Sequence, residues 1–297
     1  IRDIIEAKFD ILNEVKKIET ENSIQPTLSI GIGDAETIQK SEEYAKISLD
    51  MALGRGGDQA VIKYDDSFKF FGGNSESTGR NTKVRSRVVA HALRELIQRA
   101  DVIFVTGHKN SDADSLGASV AVCKMASLFE KKAYIIIGEM QSATKRLVDE
   151  LKKEDAYKDV FITEQTALQM ESNSPLLVVV DTHNPLYVDA PKLVNEIENI
   201  VLIDHHRRGE KYIDKPVLTF HEPYASSACE MVTEVFQYIK DGAKLSPKEA
   251  QAVYAGMVLD TKNFSMKTGV RTFEAASFLR RMGVDTVNVK RIFQNDM

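Results

Sequence analysis

The chain has 297 residues, 43% of them hydrophobic and 28% charged, with a net charge of −5. That length predicts about two domains with enough apolar material to bury real cores. The acidic balance excludes a global basic surface for long nucleic acid and suits a small anionic ligand better. No apolar run nears the ~20 residues of a spanning helix and no signal segment opens the chain, so as given it reads as soluble.

In chain order, residues 4–18 (IIEAKFDILNEVKKI) show helical spacing, 27–33 (TLSIGIG) a strand, 41–53 (SEEYAKISLDMAL) an amphipathic helix and 59–64 (QAVIKY) a strand. Residues 71–83 (FGGNSESTGRNTK) have a linker's composition, which predicts a domain boundary within 72–83. Beyond it come a helix over 84–100, a strand over 101–108, a helix over 115–129 and a strand over 132–138. A helix at 143–153, short strands at 159–163, 176–181 and 199–204, and a helix at 190–198 continue the alternation. Such a βαβ series implies a parallel sheet flanked by helices, so the fold class is α/β. After Pro223, segments 226–240, 246–261 and 272–283 read as three successive helices that cover the sheet's site. Cys123 and Cys229 lie in separate helical patterns without a neighbouring cysteine, which suggests neither a disulfide framework nor a thiolate zinc site.

Three of the predicted strands stop at aspartate and histidine. The first ends in His108, Asp112 and Asp114, the second in Asp181 and His183, and the third in Asp204, His205 and His206. These places take four of the chain's 6 histidines, and the carboxyl ends of strands are where an open α/β sheet builds its site. Carboxylates and imidazoles without cysteine suit a hard or borderline divalent ion, with a lean toward manganese. Six candidate ligands, His108, Asp112, Asp114, Asp181, His205 and Asp260, would saturate one ion, whereas two ions sharing them keep positions open for water and substrate. Asp181, between the other two clusters, is the expected bridge. Asp112 or Asp114 would alternatively cap the helix that follows, and Asp260 would alternatively be a solvated helix end. His183 is expected as an outer or structural residue, and Asp204 as the group that orients His205. His91 and His221 lack polar company in the sequence and read as surface or packed side chains.

The motifs HKNSDADS (108–115), DTHNP (181–185) and DHHRR (204–208) resemble the DHH phosphoesterase superfamily. The resemblance implies two manganese ions, with His108 and Asp112 on one, Asp114, His205 and Asp260 on the other, and Asp181 on both. It also implies that His206 touches the scissile phosphate or assists proton transfer to the leaving oxygen. Arg207 and Arg208 would charge a substrate phosphate or simply begin a solvated loop. Ser226 and Ser227, in EPYASSACE (222–230), would contact substrate or cap the next helix.

SIGIG (29–33) and ALGRGGDQAVIKY (52–64) resemble the last third of a GGDEF-like domain. Arg55 to Gln59 imitates that family's signature, but it follows the SIGIG strand where the family's hairpin precedes it, so it reads as a turn. Together the two halves resemble the membrane-anchored cyclic-di-AMP phosphodiesterases of the GdpP/YybT type. The expected organisation is the end of a degenerate GGDEF-like domain at 1–71, a linker at 72–83 and a DHH domain at 84–297. In such a parent, transmembrane helices and a haem-binding PAS-like domain precede this region and a DHH-associated (DHHA1) domain follows it. The resemblance places that parent on the cytoplasmic side of the membrane and lists cyclic di-AMP as ligand, linear pApA as product and a homodimer as partner state. An oligoribonuclease or pAp phosphatase of the same superfamily, or a non-catalytic nucleotide sensor, are the competing expectations.

Overall fold

The computed structural model describes residues 9–18, 26–54, 57–65, 67–72, 75–209 and 211–294. Two compact units form, Ile1–Asn81 with Met266–Val270, and Thr82–Ser265 with Arg271–Met297.

In the first unit, helix α1 (Ile11–Lys16) is followed by strand β1 (Ile30–Asp34), helix α2 (Ile38–Gly54) and strands β2 (Gln59–Tyr64) and β3 (Ser67–Gly72). β1 and β2 pair in parallel, and β3 closes the sheet antiparallel to β2. The glycines of SIGIG are needed for close approach: a Cβ on Gly33 would fall 2.0 Å from the Ser41 carbonyl oxygen of α2, and one on Gly31 2.4 Å from that of Ala45. Phe9, Leu12, Ala60 and Ile62 form the core. β3 escapes the sequence reading because SFKFFG is an edge strand with hardly a buried position, so no alternation marks it. Of the signature-like turn, Arg55 and Gly56 lie outside the described residues, while Gly57 and Asp58 have left-handed φ values of 70° and 54° and turn the chain into β2.

Helix α3 (Ser75–Arg99) begins in the first unit, and the second unit opens within it at Thr82. The segment expected as linker is therefore helical from Ser75 onward. The division between the units still falls inside 72–83, between Asn81 and Thr82, and the helix extends through it because elongating a nucleated helix costs little, the apolar positions from Val89 onward packing in the core. Then follow β4 (Val102–Thr106), α4 (Ala113–Ser127), β5 (Lys132–Ile136), α5 (Ser142–Leu151), β6 (Phe161–Ile162), α6 (Glu164–Leu168), β7 (Pro175–Val180), α7 (Pro191–Glu196), β8 (Ile200–Asp204) and β9 (Leu218–His221). Helices α8 (Ala228–Ile239), α9 (Pro247–Asp260), α10 (Val270–Arg281) and α11 (Thr286–Gln294) complete the unit.

The six strands are all parallel, in the order β6-β5-β4-β7-β8-β9. Successive side chains on a strand point to opposite faces. Ile103, Val105, Val178 and Ile203 accordingly join the core on the side of α3, α4, α8 and α9, while Phe104, Leu177, Val179 and Leu202 join the core with α6 and α7. Both faces are covered, which is why β7 reads as an unbroken apolar run. The order reverses between β4 and β7, the crevice where doubly wound sheets place ligands.

Candidate metal centre

β4, β7 and β8 deliver the predicted clusters to that crevice. Asp181 follows β7 with a left-handed φ of 59°, and its N–H donates to Ile203 O at 2.9 Å. A non-glycine residue rarely adopts this backbone, and such strain collects where geometry serves function. Here it turns the carboxylate toward both neighbouring strand ends. Asp181 Oδ2 lies 3.4 Å from His108 Nε2, and Oδ1 lies 3.2 Å from His205 Nε2.

His108, Asp112 and Asp181 form the first triad, with His108 Nε2 also 3.5 Å from Asp112 Oδ1. His108 Nδ1 lies 2.8 Å from the Lys109 carbonyl, which can only accept, so Nδ1 carries a proton and Nε2 is the ring nitrogen turned to the centre. Asp112 serves twice: its Oδ1 also caps α4 by accepting from the N–H groups of Asp114 and Ser115 at 2.9 and 3.1 Å.

The second triad is Asp114, His205 and Asp260, with His205 Nε2 3.7 Å from Asp114 Oδ2 and 3.2 Å from Asp260 Oδ2. It is built across two packed helices. Asp114 lies in the first turn of α4, and Asp260 ends α9 one turn after Gly256. A Cβ at Gly256 would stand 2.7 Å from Asp114 Cα and 2.8 Å from Ala113 O, so glycine lets the helices approach until the two carboxylates face one imidazole.

The donor set fits divalent cations. Asp181 Oδ1 and His205 Nε2 are buried and lack a hydrogen-bond partner among the described residues. Buried polar atoms are nearly always satisfied, and a cation between the two would satisfy both. The electrostatics agree. Burial opposes charge on His108, yet Asp112 and Asp181 outweigh it and push the imidazole up to about 11. Burial likewise opposes charge on His205, and Asp181 and Asp260 again prevail and push it up. Burial, then the charges of Asp181 and Asp260, push Asp114 well above the usual carboxylate range. Asp181 is held below that range, because His108 and His205 outweigh its burial. The four-carboxylate crevice thus draws positive charge from protonated imidazoles, a part that bound cations would take while releasing those protons.

Asp204 departs from expectation. It binds His206 and His183, not His205: its Oδ1 accepts from His206 Nδ1 at 2.8 Å and from the His206 N–H at 3.2 Å, while Oδ2 pairs with His183 Nδ1. His205 Nε2 faces the second triad and Asp181 instead, while its ring stays 4.5 Å from that of His206, whose Nδ1 is 3.6 Å from Asp181 Oδ1. His183 Nε2 accepts from the Gly209 N–H at 3.0 Å, fixing the loop after the DHH motif. His221 is not isolated, as sequence suggested. It ends β9 in register with Asp204, its Nε2 donates to His206 O at 2.5 Å, and its ring sits 5.5 Å from that of His183. The available signal was a fourth apolar run ending in histidine, VLTFH. His91 is exposed on α3.

Ser226 and Ser227 are buried and turned inward. Ser227 Oγ caps α8 by accepting from the Glu230 N–H at 3.0 Å, and Ser226 Oγ donates to Glu230 at 2.6 Å. Ser227 is thus the cap of α8, and the Ser226 hydroxyl is engaged by Glu230. Arg207 is exposed beside His206, whereas Arg208 lies over the Tyr212 ring at 4.4 Å.

A six-stranded parallel sheet with these clusters at its switch point has known counterparts. The profile of the DHH family, N-terminal domain, matches residues 102–257, and the chain belongs to that family. Residues 1–70 match the GGDEF domain of cyclic-di-AMP phosphodiesterase GdpP-like proteins. The chain is 43% identical over 292 residues to the cyclic-di-AMP phosphodiesterase GdpP of Bacillus subtilis, covering 97% of this chain and 44% of that protein. It is 42% identical over 296 residues to the cyclic-di-AMP phosphodiesterase PdeA of Listeria monocytogenes, 98% of this chain and 45% of that one. The chain thus spans less than half the length of these relatives. Among solved structures, an exopolyphosphatase-related protein from Bacteroides fragilis shares the fold with a TM-score of 0.59 and 22% identity, over 70% of this chain and 60% of that one. Among the described residues, no helix is long and apolar enough to cross a membrane.

Proposed function

We propose that this chain carries the phosphodiesterase centre of a protein that hydrolyses cyclic di-AMP to linear pApA with two manganese ions. The observation that carries the reading is the Asp181 carboxylate, whose two oxygens face two separate triads; the similarity to GdpP and PdeA over nearly the whole chain supplies the substrate.

His108 and Asp112 would hold one ion, Asp114, His205 and Asp260 the other, and Asp181 would join them. When bound, such a pair neutralises charge on the attacking and leaving oxygens of an in-line displacement at phosphorus. The chain's own groups do the rest. His206 is half exposed and its Nδ1 is tied to Asp204, which leaves Nε2 as the ring nitrogen that would meet substrate. The hydrogen bond to Asp204 outweighs burial and raises its pKa, so His206 holds a proton to give to the departing 3′ oxygen as water attacks and the P–O bond breaks. His183 fixes Asp204 from the other side, and Arg207 adds positive charge where a phosphate would enter.

The test is hydrolysis of cyclic di-AMP, cyclic di-GMP and pApA with and without Mn2+, by this chain and by a version extended toward the relatives' C-terminal region, each beside Asp181→Ala. Mn-dependent opening of cyclic di-AMP that vanishes with Asp181→Ala is expected. Cleavage of pApA or short RNA alone would move the reading to an oligoribonuclease or pAp phosphatase. Cation binding without any cleavage would leave a nucleotide sensor.

A further inference from the structure

Asp114 is held by a helix to which it does not belong. Its Oδ2 accepts from the N–H of Ala228 at 2.7 Å and its Oδ1 from that of Cys229 at 2.9 Å, the first two residues of α8. The N–H groups that open a helix have no partner within it and carry partial positive charge, so they fix the rotation of a carboxylate placed on them. Wherever α8 stands along its axis, Asp114 must follow, and with it the distance to His205.

What fixes α8 is a buried charge network that the metal centre does not use. Glu230, 1% exposed in the first turn of α8, accepts from Ser226 Oγ and Thr272 Oγ1, both at 2.6 Å, and stands 3.7 Å from Arg271 Nε. Arg271 forks onto Glu234 one turn further along α8 through bonds of 2.7 and 2.8 Å, and Ser86 of α3 donates to the same carboxylate at 2.9 Å. Just before α8, Glu222 pairs with Arg85 of α3. α8 is thus gripped from α3 and from α10 at its metal-facing end. Stability alone does not call for these charges, since a buried ionic cluster is often replaced by apolar residues at no loss. A forked arginine and short hydroxyl bonds do define one position where apolar packing would allow sliding.

We propose that Glu230 and Arg271 are positioning residues of the metal centre: they set the start of α8 and thereby place Asp114 for the second cation. The proposal rests on reading the centre as a two-cation site, and a wild-type chain that binds no second Mn2+ would overturn both. With two ions bound by the wild type, the proposal stands or falls separately.

The experiment is calorimetric titration of Mn2+ into the full 297-residue chain, for wild type, Glu230→Gln, Arg271→Met and Arg271→Lys, with melting temperatures alongside. Altering groups that orient ligands typically costs roughly 10- to 100-fold in metal affinity. Glu230→Gln and Arg271→Met should weaken one of the two sites by that factor and leave the other at wild-type affinity. Arg271→Lys, which keeps the charge without the fork, should fall between. Activity lost at low Mn2+ should return as Mn2+ is raised. Should Glu230→Gln not fold, Thr272→Val, which removes one hydroxyl bond, should weaken the same site by a smaller factor. Lower melting temperatures with both Mn2+ affinities unchanged in these variants would overturn the proposal and leave the network a purely structural one.

Discussion

The two triads hold the same kinds of ligand but are built differently. The first is local: His108 and Asp112 lie within one turn of chain after β4, and only Asp181 comes from elsewhere. The second gathers Asp114, His205 and Asp260 from α4, the end of β8 and the end of α9, and depends on helix packing and on the N-terminus of α8. A local triad tolerates distant change, whereas an assembled one inherits every displacement of the helices that carry it. Asp181 faces both, through His108 in the first and His205 in the second, so the largest effect should come from it. Asp181→Ala is expected to abolish binding of a cation pair and to lower Mn-dependent hydrolysis by roughly 10³-fold, in the range seen when a transition-state-stabilising group is removed. Steady-state kinetics at saturating Mn2+ check this.

The next effect should separate the triads. A Cβ at Gly256 would lie 2.5 Å from Cys229 Sγ and 2.7 Å from Asp114 Cα, both deep in the core. Gly256→Ala should destabilise by about 1–3 kcal/mol through overpacking. It should weaken the cation held by Asp114 and Asp260 while sparing the one held by His108 and Asp112. Denaturant melts and Mn2+ titration read the two effects, and equal loss at both sites would erase the proposed asymmetry.

Protons offer a milder perturbation. His108 has its pKa raised in the folded chain, from an ordinary 6.5 to about 11. A raised pKa contributes stability that is fully present below 6.5 and is lost as pH climbs through about 11. The metal-free chain should therefore melt at a lower temperature at pH 10 than at pH 7, while its Mn2+ affinity rises over the same window as the competing protons leave. Differential scanning calorimetry with and without Mn2+ checks both signs. The smallest effect is expected at Arg207. An exposed charge on a phosphate gives about 1 kcal/mol or less, so Arg207→Ala should raise KM by up to roughly fivefold, and less at high salt.

The same contrast governs what the sequence disclosed. His108, Asp112 and Asp181 announce themselves, because each ends or follows an apolar run and a parallel sheet must bring such ends together. Asp114 and Asp260 could be named by type and by resemblance, but their meeting depends on Gly117 and Gly256. A Cβ on Gly117 would be 2.6 Å from Ala252 O, an approach that no periodicity encodes. Adjacency in the chain pairs Asp204 with His205, whereas the Asp204 carboxylate is taken up by His206 and His183 and His205 Nε2 faces Asp181 and Asp260. His221 meets Asp204 only through the pairing of β9 with β8, and VLTFH is the one cue to that strand in the sequence. The network of Glu222, Glu230 and Glu234 has no cue in the sequence, since only packing against α3 and α10 brings these carboxylates to Arg85 and Arg271.

The most direct test of Asp181 as a shared ligand is electron paramagnetic resonance of the Mn2+-loaded chain at two equivalents. A carboxylate joining two adjacent ions predicts a spin-coupled pair in the wild type, replaced in Asp181→Ala by the six-line signal of isolated Mn2+. An uncoupled six-line signal from the wild type, with one ion bound per chain, would contradict the two-cation centre.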